Sequence, residues 1–197
     1  LGLTPQQNKG IITLDPQLQV EVAADARPVI GLSDTVFDVN ITPDRGYALS
    51  ARGLSREIAS ALDLDFSDVA ENPQLVGLSV TVPDVSGDLL SVELRPETKA
   101  LRFGLRKVSG IDPTVESPWW LQRELMLCGQ RPVNAATDVT NYLMLLLGQP
   151  MHAFDVDRIT GDLVVRCAVE GEKMTTLDDV QRELHADDVV ICDDSGV

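Results

Sequence analysis

The feature that most constrains this chain is the stretch 131–155, R-P-V-N-A-A-T-D-V-T-N-Y-L-M-L-L-L-G-Q-P-M-H-A-F-D. Residues 142–147 are apolar almost without interruption, which predicts a helix buried on nearly all sides. It is read as entering behind a capping Asp138 and stopping at Gly148. The turn that follows carries His152, one of only two histidines in the protein. Around this helix gather Arg131, Asn134, Thr140, Asn141 and His152. A guanidinium, amides, a hydroxyl and an imidazole can orient a water on an ester without a covalent nucleophile. On the residues alone, the commoner role of a lone histidine after a helix is a structural hydrogen bond.

Other reaction classes lack their residues. The chain has no G-x-G-x-x-G or G-x-x-x-x-G-K-S/T loop to cradle a nucleotide, and no G-x-S-x-G elbow for a serine nucleophile. His152 and His185 have no ligand-type partners at helical spacing, so no metal site is expected. The carboxylate pairs Asp178–Asp179, Asp187–Asp188 and Asp193–Asp194 fall in turns and read as solvated residues. Cys128, Cys167 and Cys192 are odd in number and widely spaced, the pattern of reduced thiols in a cytosolic protein. No apolar run approaches ~18 residues, so no spanning helix is expected. The chain begins at Leu1, which reads as a piece of something longer.

Charge limits the partners. A formal net charge of −15 argues against general binding to nucleic acid or to an anionic membrane. Between residues 99 and 131 the balance reverses, with Lys99, Arg102, Arg106, Lys107, Arg123 and Arg131 against Asp112, Glu116 and Glu124. By charge alone this is first a solvated strand face, and second a surface for phosphates.

The remaining pattern is mixed. Residues 34–41 alternate as a half-buried strand does. A helix is expected over 50–62, with Leu54, Ile58 and Leu62 on one face and Gly53 inside it for close packing. Strands are expected at 78–82, 89–94, 101–108, 163–168, 174–177 and 188–192. Residues 117–128 read as a helix capped by Ser117, with Pro118 at its first position and Gly129 as its left-handed stop. Its paired Trp119 and Trp120 are read as packing residues rather than a base-stacking platform. Helices inserted among strands without βαβ alternation give an α+β fold with mixed or antiparallel sheets.

The motif V-T-N-Y-L-M-L-L-L-G-Q-P-M-H-A-F-D resembles the β subunits of bacterial phenylalanyl-tRNA synthetases, and the likeness runs in order over most of the chain. F-D-V-N-I-T-P-D-R-G-Y-A-L-S-A-R-G-L-S-R-E-I-A, S-P-W-W-L-Q-R-E-L-M-L-C-G-Q-R-P-V-N and G-D-L-V-V-R-C-A-V-E-G-E-K-M-T-T-L-D carry it further. The resemblance implies a connecting arm or the tail of an OB-type domain at 1–31. It implies a small B1-like α+β segment at 32–85 and part of a B3/B4 tRNA-editing module at 86–197.

In that family the module hydrolyses tyrosine wrongly esterified to the phenylalanine tRNA. By motif position, Arg131 and His152 then act on the terminal adenosine and the water, while Thr140, Asn141 and Asn134 line the substrate pocket. The resemblance also implies an α subunit partner, an α2β2 enzyme in the cytoplasm, and ATP with Mg2+ for the whole enzyme but no cofactor in this part. Leu147 replaces the family's usual glutamate, and Asp44-Arg45-Gly46-Tyr47 departs from N-R-P-D. The family's glycine turn and tyrosine-recognising glutamate are expected beyond Val197, so the isolated piece is expected to edit poorly. The alternative is a non-catalytic module of the same architecture that docks RNA or a partner subunit.

Overall fold

The computed structural model describes residues 19–31, 33–72, 84, 87, 91–176 and 179–196. Two units interleave along the sequence: Leu1–Thr81 with Asp112–Ala153, and Val82–Ile111 with Phe154–Val197. The architecture is α+β, as the mixed pattern predicts.

The first unit is helical. After the short helix α1 (Ala26–Val29), a 3-10 stretch over Pro43–Leu49 leads into α2 (Ala51–Leu62). Ser50 caps α2: its Oγ accepts from the Gly53 amide at 3.1 Å and donates to the Tyr47 carbonyl at 3.1 Å. The expected glycine packing is present. A Cβ on Gly53 would stand 1.9 Å from the Tyr47 carbonyl oxygen, so only glycine lets the 3-10 stretch fold back on the helix. Glu57 accepts hydrogen bonds from both Arg45 and Tyr47 and holds that return from the other side. The expected apolar face is displaced, however. Gly53 and Ala59 are the buried positions of α2, and Leu62 is 63% exposed.

Helices α3 (Trp119–Leu127) and α4 (Ala135–Leu147) complete this unit. Leu121 and Leu125, one turn apart on α3, are its buried contribution. Trp120 meets Tyr142 of α4 edge-on at 5.5 Å between ring centroids, yet it is 49% exposed rather than buried in the core. Gly129 takes the left-handed conformation (φ 76°) that ends α3 as expected. Gly148 (φ 77°) ends α4, and a Cβ there would lie 3.2 Å from that of Ser50. The end of α4 thus closes on the start of α2.

Several expectations are corrected here. Ser117 does not cap α3; Pro118 holds the cap position without a side-chain hydrogen bond, and the Ser117 hydroxyl turns to Asp138 instead. Asp138 does not cap α4. Asn134 does, its Oδ1 accepting from the Thr137 amide at 2.9 Å, and Asp138 lies buried in the first turn. Nor is α4 deeply buried: residues 141–147 are half-buried, and Asp138 is the buried residue of the helix. Apolar composition states what a helix prefers, whereas burial depends on how much of its circumference meets neighbours.

The alternating residues 34–41 form no strand and Phe37 is 80% exposed, because alternation supplies a face but not the partner strand that a ladder needs. For the same reason residues 101–108 run without a ladder.

The second unit carries the sheets. Strand β2 (Leu163–Cys167) pairs in parallel with β1 (Val92–Leu94) and antiparallel with β5 (Val189–Cys192), Val164 facing Cys192 and Arg166 facing Val190. Leu163 and Val165 alternate into one face of this sheet, and Val190 with Cys192 into the other. An apolar run such as Leu163–Val164–Val165 suits a central strand covered on both sides. A second ladder joins β3 (Lys173–Thr175) to β4 (Gln181–Glu183), a polar strand with no apolar signal in the sequence. The strand expected at 78–82, residue 177, and residues 89–90 of the strand expected at 89–94 lie outside the described residues. Cys128, Cys167 and Cys192 form no disulfide with one another; Cys192 is buried, Cys167 is half-buried and Cys128 is exposed, so they are not the mostly buried set that such thiols usually form.

Arg166 and Glu172 brace the second unit. Both guanidinium terminal nitrogens reach the carboxylate, at 2.7 and 2.8 Å, and Glu172 also accepts from the Val169 amide at 2.9 Å. These bonds pull the Glu172 carboxyl from its ordinary 4.5 down to about 2, the bonds from Arg166 weighing most.

Two expectations follow from the packing. Gly53→Ala should lower the melting temperature of the protein although alanine favours a helix by ~1 kcal/mol. Overpacking against a backbone carbonyl costs about 1–3 kcal/mol, and an unchanged or higher Tm would contradict the close approach to Tyr47. The Glu172 bridge sets a pH window. A carboxyl whose folded pKa is depressed stabilises fully above its unfolded value, and loses that contribution as pH falls towards the folded one. Glu172→Gln should therefore lower Tm at pH 7, with the gap to the native protein closing between about pH 4.5 and about pH 2. Thermal unfolding of both proteins across that range reads it directly.

Candidate functional site

The loop between α3 and α4 is fixed at nearly every residue. Gln130 N–H donates to the Leu125 carbonyl at 2.8 Å and Gly129 N–H to that of Met126 at 3.1 Å, which ties the loop to the end of α3. Arg131 precedes Pro132, which holds Arg131 to extended backbone angles and itself has a locked φ. The Val133 N–H donates to Asp138 Oδ1 at 2.8 Å, and Asn134 is the cap of α4. Asp138 Oδ2 accepts from the Ser117 hydroxyl at 2.5 Å. Asp138 is only 1% exposed. Its charge is held by two donors and by its place in the first turn of α4, where the helix dipole favours an anion.

Several side chains around this frame keep hydrogen-bonding capacity that no described residue takes up. Arg131 is exposed and makes no ion pair or hydrogen bond with another described residue. Arg123, by contrast, donates to the Gly31 carbonyl at 2.9 Å and pairs with Asp34 and Glu124. Asn141 is half-buried, and its carboxamide likewise makes no hydrogen bond within the described residues. It follows Asp138 by three positions, on the same stripe of helix. The Thr140 hydroxyl donates to the Thr137 carbonyl at 2.7 Å and keeps its acceptor capacity. Asn134 is partly engaged, since its side-chain oxygen caps the helix while its NH2 remains available. His152 lies exposed beyond the end of α4.

The structure therefore gathers Arg131 and Asn134 in one loop, with Thr140 and Asn141 next along α4. His152 stands at the far end of the helix. His185 belongs elsewhere: its ring lies 3.4 Å from Glu170, which raises its pKa, and its amide donates to Asp188. No group of His, Cys, Asp and Glu fit to hold a metal occurs among the described residues.

A cavity of about 410 Å³ lies between the 3-10 stretch, α2 and the C-terminal half of α4. Tyr47, Leu49, Arg52, Arg56, Met144 and Leu147 contribute to its lining, and none of the five sequence-predicted residues does. Arg52 is engaged by Asp68 through two bonds of 2.8 and 2.5 Å, and Arg56 lies over the Phe66 ring. Nothing in the sequence pattern announces this cavity, because it is made by helices far apart in the chain, Ala51–Leu62 and Ala135–Leu147. In the second unit Lys99, Arg102, Arg106 and Lys107 are all exposed, and none pairs with a described carboxylate. Phe103 and Leu105 between them are half-buried, so Arg102 and Arg106 share the opposite side of an extended segment.

Residues 99–197 match the B3/4 domain family, to which this chain belongs. Over its whole length it is 68% identical to the phenylalanine–tRNA ligase beta subunit of Corynebacterium glutamicum and 63% identical to that of Corynebacterium efficiens. Over 97% of its length it is 49% identical to that of Nocardia farcinica. The chain spans about a quarter of the length of these relatives, 24% of the first two and 22% of the third.

Proposed function

We propose that this chain is part of a phenylalanine–tRNA ligase β subunit, and that the frame around α4 forms one wall of a pocket that hydrolyses tyrosine mischarged onto the phenylalanine tRNA. The observation that carries the reading is Arg131: an exposed guanidinium on a fixed loop, unpaired among the described residues, in a chain of net charge −15. An unpaired cation in so acidic a protein has its natural complement in an anion such as a nucleotide phosphate.

In this reading Arg131 holds the terminal adenosine, and His152 positions or deprotonates the attacking water. Asn134, Thr140 and Asn141 offer donors and acceptors to the aminoacyl group. Hydrolysis of an ester needs no covalent nucleophile, only an oriented water and donors towards the developing oxyanion. A pocket that hydrogen-bonds a phenolic hydroxyl rejects phenylalanine, because its polar groups would stay buried and unpaired. The whole enzyme would work in the cytoplasm with an α subunit, as an α2β2 assembly, and its ATP and Mg2+ would serve a synthetic site outside this chain. Among the described residues no helix is long and apolar enough to cross a membrane. The cations at 99–107 support contact with the tRNA backbone, and they are equally what a docking module without hydrolysis would use.

Alanine at Arg131 or His152, introduced into the complete subunit with its α partner, separates the two. Each should slow release of tyrosine from mischarged tRNA by about 10²-fold, the usual scale for an acid–base or positioning group. Undiminished deacylation by both variants would leave docking alone. Binding should also be salt-sensitive. Removing Arg102 and Arg106 together should flatten the slope of log K against log salt by up to about two if both face phosphates. An unchanged slope would remove this segment from the RNA surface.

A further inference from the structure

We infer that Asp138 is a positioning residue for Arg131: its buried carboxylate sets where the guanidinium is presented, and the efficiency of the site depends on it without any contact to substrate. The inference rests on the editing role proposed above.

The geometry allows little else for this carboxylate. Asp138 is almost wholly enclosed, so it neither meets solvent nor reaches a ligand. One oxygen takes the Ser117 hydroxyl at 2.5 Å and the other takes the Val133 amide at 2.8 Å. The two bonds do different things. The first joins residues 21 apart in sequence and ties the start of α3 to the start of α4. The second fixes a single amide, two residues beyond Arg131. Upstream, Gln130 is already held by the Leu125 carbonyl. Between these two anchors stand only Arg131 and Pro132, and Pro132 restricts them both. Release of the Val133 amide would free the downstream end of that span and leave Arg131 held on one side. A long side chain on a loose backbone visits many positions. Ordering it on substrate binding then costs free energy that a fixed loop has already met on folding.

A carboxylate is suited to this task. It accepts two donors at once along diverging directions, and the first turn of α4 stabilises its charge. Its length matters more than its charge, because both acceptors must sit at set distances in packed surroundings. An asparagine retains an acceptor for Val133 and the side-chain length. A glutamate retains the charge but displaces the acceptor by one methylene.

The test uses the complete β subunit with its α partner and mischarged tRNA, with Tm measured for every variant. Asp138→Ala should slow deacylation by about 10- to 100-fold. Asp138→Asn should recover most of the rate, and Asp138→Glu should recover less than Asp138→Asn. In an Arg131→Ala background Asp138→Ala should cost almost nothing further in rate, because the group it positions is gone. If Asp138→Ala fails to fold, the Asn and Glu variants carry the same comparison in both backgrounds.

Equal losses with and without Arg131, or a rate order that follows charge rather than length, would overturn the inference. So would deacylation by Asp138→Ala at the native rate while Arg131→Ala is slow, and that result would leave the editing role standing. If Arg131→Ala itself deacylates normally, the editing role of Arg131 fails first, and the inference with it.

Discussion

The first unit depends on a carboxylate enclosed in its interior. Asp138 brings together the residue before α3, the loop after α3 and the first turn of α4, through the Ser117 hydroxyl and the Val133 amide. An enclosed carboxylate is stable only where its lone pairs meet donors, and removal of such a group leaves those donors unsatisfied at about 1–3 kcal/mol each. That requirement fixes the α3–α4 corner more narrowly than apolar packing does. Leu121 and Leu125 supply the burial beside it, but apolar contacts tolerate small shifts that a pair of short hydrogen bonds does not.

On this fixed corner the polar groups divide into those engaged by the fold and those left open. Ser117, Asp138 and the side-chain oxygen of Asn134 are engaged. Among the described residues, Arg131 and the carboxamide of Asn141 are open. The same division holds among the arginines, where Arg52, Arg123 and Arg166 are tied to Asp68, Asp34 and Glu172, while Arg102, Arg106 and Arg131 pair with no described residue. In a chain with nearly twice as many acids as bases, cations that pair with no described residue stand out as places where an anion from elsewhere would be welcome.

Much of this was legible before any coordinate. The apolar run 142–147 with Gly148, and the sequence from Pro118 to Gly129, located both helices, because helix periodicity and left-handed stops are properties of short windows. Residues 163–168 read as a strand for the same reason. The candidate residues were legible through motif likeness more than through chemistry, since one histidine and two amides near a helix are common. Strand pairing was harder. Residues 34–41 and 101–108 have the periodicity of strands and no ladder, whereas the polar β4 has a ladder and no periodicity.

By itself, then, the sequence determined the elements whose causes are local: the helices, their glycine stops, the apolar strand and the family. Tertiary structure decided which polar group serves which purpose. Asp138 and Asn134 are both good caps by type, and Ser117 is a third. Only one geometry lets Asn134 cap α4 while Asp138 turns inward to meet Ser117. A hydrogen bond forms between whichever groups folding brings within about 3 Å, and for residues 21 apart that distance is set by the packing of two helices. The stretch around Arg131 was recognisable as a line of residues. The buried carboxylate beneath it, and the fixed corner that presents the guanidinium, exist only in the fold.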